Sequence, residues 1–70
     1  MILTKQEQAV VIGTFISILG ENLVNEHFDA KRLEEVSKTH NEMHDNTTPR
    51  ERRAAMISLL NKMMDEFLKG

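Results

Sequence analysis

The sequence predicts an all-α fold, a bundle of three helices near residues 5–24, 28–45 and 49–69. Two capping boxes mark helix starts, and apolar residues recur at helical spacing in each of the three segments. No segment alternates polar and apolar residues in the manner of a strand. Since the chain has only 70 residues, we expect a single helical domain covering residues 1–70.

The first helix is predicted to begin near Lys5, because Thr4-Lys5-Gln6-Glu7 has the form of a capping box. An uncharged run of 13 residues follows, from Gln8 to Gly20, in a chain that carries 29% charged residues. One side of this helix is bulky, and the other is a stripe of small residues: Ala9, Gly13, Ser17 and Gly20. The stripe indicates either a closely packed neighbouring helix or, at Gly20, a kink or the end of the helix.

The second helix is predicted from Phe28, Leu33, Val36, His40 and Met43, which recur at helical spacing. Its start lies at Asn25 or Asp29, since both residue types serve as N-caps. Residues 45–48, Asp-Asn-Thr-Thr, form the turn that follows it.

The third helix is the most clearly bounded, with a capping box at Thr48-Pro49-Arg50-Glu51 and a proline at the first helical position. Lys69 and Gly70 suit its C-terminal end. Its apolar arc is wider than one neighbouring helix requires. Within that arc, a seam typical of coiled-coil-like packing has 4-3-4 spacing and consists of Met56, Leu60, Met63 and Phe67.

These apolar faces predict a homodimer that forms through the first and third helices. A domain of this size obtains only about 3–5 kcal/mol from its own core, and the absence of cysteine excludes disulfide staples. A helix that is uncharged all round must also be enclosed by other elements. The residues expected at the dimer interface are Val11, Phe15, Ile18, Met56, Met63 and Phe67.

A cluster of arginines, Arg50, Arg52 and Arg53, opens the third helix, where the helix dipole disfavours cations. Pairing with Glu51, Glu42 or Asp45 is one explanation for the cluster, and contact with an acidic group on a partner protein is the other. A third interpretation is a helix-turn-helix-like, dimeric DNA-binding regulator that uses the same arginines. The net charge of −2 and the acidic Asp65 and Glu66 on the third helix make DNA binding the weaker interpretation.

No pattern in the sequence predicts catalysis, a metal or a cofactor. His40 and His44 are four residues apart, but they lack convincing third and fourth ligands. The chain has no cysteine nucleophile and no glycine-rich phosphate loop. The uncharged run is also shorter than the roughly 20 residues that span a bilayer, so we expect a cytoplasmic protein without a membrane role.

Together these patterns predict a small, non-enzymatic regulator or inhibitor that acts as a homodimer and binds another protein. The small, cysteine-free, helical format is similar to that of many accessory proteins of phages and mobile elements. No motif in the chain identifies a particular family.

Overall fold

The computed structural model describes residues 1–70 and is all-helical, with no strand. It has four helices: α1 (Lys5–Leu19), α2 (Glu21–His27), α3 (Ala30–Asp45) and α4 (Pro49–Lys69). The all-α prediction is therefore confirmed, but the predicted number of three helices is wrong. The segment predicted as one helix over residues 5–24 is divided into α1 and the start of α2, and the helix predicted over 28–45 begins at Ala30.

Gly20 is the residue that divides the first predicted helix. Its backbone has φ 86° and ψ 158°, a conformation that is essentially restricted to glycine. Its N–H donates to the carbonyl of Ile16 at 3.0 Å, and its own carbonyl accepts from the N–H of Val24 at 3.1 Å. Gly20 therefore ends α1 and begins α2 without any intervening loop.

The two helices that meet at Gly20 differ in direction by 107°. No single helix is long and apolar enough to cross a membrane, and α1 and α2 reach the necessary length and composition only together, as this bent pair.

Both predicted capping boxes are confirmed. The Thr4 Oγ1 accepts from the N–H of Glu7 at 3.1 Å, and the N–H of Thr4 donates to the Glu7 carboxylate at 2.7 Å. Thr48 and Glu51 make the equivalent bonds at 3.1 and 3.3 Å at the start of α4. Of the two predicted starts for the helix that became α3, Asp29 is the N-cap, and its carboxylate accepts from the N–H of Arg32.

Helix α1 lies at the centre, because it packs against each of the other three helices. The interior that results is small. Only three of the 70 residues are buried: Val24, Leu59 and Glu7. The radius of gyration is 13.5 Å, compared with about 11 Å for a compact domain of this length, so the chain is an open and flattened assembly of helices.

A charged contact joins α1 to α4. The side chain of Glu7 is almost fully buried, and its Oε1 accepts from the Lys62 ammonium at 2.6 Å. The same Lys62 Nζ donates to the carbonyl of Ile2 at 3.1 Å, which fixes the segment before α1 as well. The other carboxylate oxygen, Oε2, is buried without a hydrogen-bond partner. The charge of the buried carboxylate is compensated by the Lys62 ammonium.

This environment lowers the pKa of Glu7 from its ordinary value of 4.5 to about 2. The hydrogen bond from Lys62 is the largest cause, followed by the bond from the backbone N–H of Thr4, and both stabilise the ionised carboxylate. Burial opposes them and raises the pKa. Because the folded-state pKa is depressed, the contact stabilises the fold fully above about pH 4.5 and loses that effect as the pH falls towards 2.

Replacing Gly20 with alanine is expected to destabilise the fold by about 1–3 kcal/mol, because a Cβ is strained at this φ and ψ. Urea unfolding monitored by circular dichroism measures the change. Ser17→Ala, at an exposed position of α1, is the matched control and should have no destabilising effect. Equal stability of both variants would contradict the bend at residue 20.

Glu7→Gln keeps a side chain that can complete the capping box but removes the charge that Lys62 compensates. We expect its melting temperature to fall less steeply than that of the native protein as the pH is lowered from about 4.5 to 2. Thermal melts across this range measure the difference, with the exposed carboxylate variant Glu34→Gln as the control. Parallel curves for the native protein and Glu7→Gln would contradict this assignment.

Candidate protein-interaction surface

Helix α4 turns a mixed face of two charged and two apolar residues towards α1. The inward face follows helical spacing, and its members are all wholly or partly buried: Arg52, Ala55, Leu59 and Lys62. The bulky apolar residues of α4 lie on the outer sides of the helix and are exposed: Met56, Ile57, Leu60, Met63, Met64, Phe67 and Leu68. Only Leu59 of the predicted apolar arc is buried, so the chain itself covers most of this arc at best partly.

The structure divides the predicted interface residues between two grooves beside α1. Val11 and Phe15 line an apolar groove of about 270 Å³ that α2 and α3 complete with Val24 and Leu33. Ile18 and Met56 share a second groove, of about 480 Å³, between α1, α3 and α4.

The predicted interface residues also differ in exposure. Val11 is half-buried, whereas Phe15 is 59% exposed and Ile18 is 73% exposed. Met63 and Phe67 line neither groove and are open to solvent, with Phe67 at 84% exposure. Ile18 and Met56 are the members of the set that line one groove from two different helices.

The total accessible surface is 5908 Å². A folded monomer of 8.1 kDa is expected to expose about 4,500 Å², so this chain exposes roughly 1,400 Å² more than its mass predicts. Fifteen large hydrophobic side chains are among the exposed residues. In a standard protein–protein interface each partner buries about 800 Å², so the surplus is large enough for a stable interface.

Arg52 is bonded within the chain, at the C-terminal end of α3. Its Nη1 donates to the carbonyls of Thr47 at 2.8 Å and of His44 at 3.1 Å. The last carbonyls of a helix have no partner inside that helix, and α3 is not followed by a glycine that would cap it. The guanidinium adds a charged donor to the carbonyl of His44, which also accepts from the N–H and the hydroxyl of Thr47 at 3.4 Å. Arg52 therefore joins the end of α3 to the start of α4.

The side chains of the turn complete this cap. The amide of Asn46 donates to the carbonyl of Glu42 at 2.8 Å, and the hydroxyl of Thr47 donates to the carbonyl of Met43 at 2.9 Å. The requirement for such donors could have been anticipated from the sequence, because no glycine follows α3. The sequence could not show which of the three arginines donates these bonds.

Arg50 and Arg53 are exposed, and neither forms an ion pair. The acidic residues considered from the sequence as their partners, Glu42, Asp45 and Glu51, make no salt bridge to an arginine. Two cations at the first turn of α4 are therefore free to bind an acidic group.

Gly13, in the stripe of small residues, lies close to the side chain of His40 from α3. A Cβ at this position would lie 2.9 Å from Nε2 of His40, so the imidazole from α3 occupies the space that a side chain would need. No three His, Asp or Glu side chains lie together in an arrangement that could hold a metal ion.

Comparisons with protein-family models, with curated proteins and with solved structures produced no match to this chain.

Arg52→Ala is expected to destabilise the protein by roughly 1–3 kcal/mol, because it removes the charged donor that the carbonyls of His44 and Thr47 share. Arg50→Ala, at an exposed position in the same turn, is the control and should change stability by no more than about 0.5 kcal/mol. Urea unfolding of both variants makes the comparison. Effects of equal size would show that the cap contributes little.

Proposed function

We propose that this protein is a non-enzymatic, protein-binding regulator or inhibitor that works as a homodimer. The observation that supports the proposal is the surplus of exposed surface, roughly 1,400 Å² above that of a compact monomer, together with its apolar character. At about 25 cal/mol per Å², apolar area left in water represents a large free energy that association can recover. A second copy is the simplest partner, since it is present wherever the chain is.

The start of α4 supports binding of a second kind of protein through its exposed arginines. Arg50 and Arg53 present two unpaired guanidinium groups at an exposed helix start, where planar donors can bind carboxylates in bidentate fashion. Arg52 belongs to this predicted contact set, but its Nη1 is already bonded to two carbonyls. We therefore assign the contact with an acidic partner to Arg50, because Arg53 continues the line of the apolar seam that begins at Met56.

Regulation through DNA binding receives less support from the same geometry. With Arg52 bonded within the chain, the start of α4 offers two free arginines, and the net charge of the chain is −2. Affinity for DNA depends on several phosphate contacts made by basic side chains, and two arginines provide few of them.

Sedimentation equilibrium at micromolar concentration is expected to give twice the 8.1 kDa mass of the chain. The melting temperature should also rise with protein concentration, because a dimer gains stability by mass action. A single folded 8.1 kDa species across the whole concentration range, with a constant melting temperature, would contradict the homodimer.

Nucleic-acid binding is measured in parallel by fluorescence anisotropy with a random DNA duplex at physiological salt. We expect no complex at micromolar protein. A complex that weakens steeply with salt, and whose salt dependence is reduced by Arg50→Ala, would instead support the DNA-binding alternative.

A further inference from the structure

The seam of α4, defined as Met56, Leu60, Met63 and Phe67, is an apolar stripe that the chain leaves about half-exposed or more. A helix turns by about 100° per residue, which places these four side chains in one narrow stripe. The stripe lies beside the inward face that packs on α1. Met56 also lines the groove between α1, α3 and α4, and Phe67 is the most exposed of the four, at 84%.

We propose that the seam pairs with the seam of a second copy, with the two α4 helices antiparallel. This pairing specifies the face of the proposed homodimer and rests on that proposal. The spacing of the seam, 4-3-4, reads the same in both directions along the helix. In an antiparallel pair, Met56 therefore lies opposite Phe67 of the second copy, and Leu60 lies opposite Met63 of the second copy. A two-fold contact needs such a self-complementary patch.

Arg53 determines the direction of the pairing, because it continues the seam one position before Met56. A parallel pair would place the two Arg53 side chains in the same layer, where like charges repel. The antiparallel pair places each Arg53 beside the last turn of the other α4, which is the negative end of a helix with unpaired carbonyls. Lys69, the cation in that turn, lies on the opposite side of α4 from the seam.

The available area is consistent with this pairing. The chain exposes roughly 1,400 Å² more than a compact monomer, and each partner of a standard interface buries about 800 Å². The seam runs from Met56 to Phe67, which is about 17 Å of the length of α4. Ile18, exposed beside Met56, extends the same apolar surface onto α1.

Disulfide cross-linking tests the pairing directly, because the chain contains no cysteine. A disulfide forms only between residues whose Cα atoms lie within about 7 Å of each other. Met56→Cys chains are mixed with Phe67→Cys chains under mild oxidation, and each variant is also oxidised alone. We expect a cross-linked dimer in the mixture and little in either variant alone, because residue 56 faces residue 67 and not itself.

Asn61→Cys, on the side of α4 away from the seam, is the matched control and should cross-link with none of the variants. Circular dichroism verifies that each variant keeps its helix content, which we expect because every substituted side chain is exposed. Efficient self-cross-linking of Met56→Cys or of Phe67→Cys would indicate a parallel pair and overturn the proposal. No cross-link in the mixture, when sedimentation shows a dimer, would overturn the pairing but leave the homodimer. A monomer by sedimentation would overturn both.

Discussion

The contact between Glu7 and Lys62 determines which side of α4 meets α1. Lys62 belongs to the face of α4 that also carries Arg52, Ala55 and Leu59, so bonding its ammonium to the buried carboxylate turns that face inward. The other bulky apolar residues of α4 then lie on the outer sides of the helix, where they are about half-exposed or more. The seam is therefore exposed as a consequence of how the charge at position 7 is satisfied.

A small interior follows from the same arrangement. Val24 and Leu59 are the only buried hydrophobic residues, and a core of that size yields little of the 5–15 kcal/mol typical of native domains. Specific polar contacts supply part of what the core lacks: the Lys62 pair, the two capping boxes and the Arg52 cap at the end of α3. Association through the exposed apolar side chains is the remaining source of stability that the chain has available.

Local signals in the sequence predicted the starts of α1 and α4 correctly. The capping boxes at Thr4 and Thr48 depend on residues three positions apart, and such short-range chemistry is visible in a sequence. The break at Gly20 was one of two outcomes that the sequence allowed, because the energetic cost of a bend depends on what packs against it.

The pairing of Glu7 with Lys62 and the bonds of Arg52 to the α3 carbonyls were not predicted, because tertiary packing decides them. The only signal in the sequence for the Glu7–Lys62 pair was the charge of Glu7 beside an apolar run. The 4-3-4 spacing of apolar residues in the sequence identified the seam as one part of the predicted surface. It could not show that α4 leaves the seam exposed, since that depends on the rotation of the helix about its own axis.

The bend at Gly20 also decides which chain supplies α3 to α1. Because α1 and α2 meet at one residue with no loop, a helical conformation there would join residues 5–27 into one rod about 35 Å long. That rod would carry α3 away from α1 and leave the α1 groove open to the α3 of another molecule. Such an exchange of identical elements between chains is domain swapping. The break in the helix at Gly20 opposes it, because it turns α2 and α3 back towards α1 of the same chain.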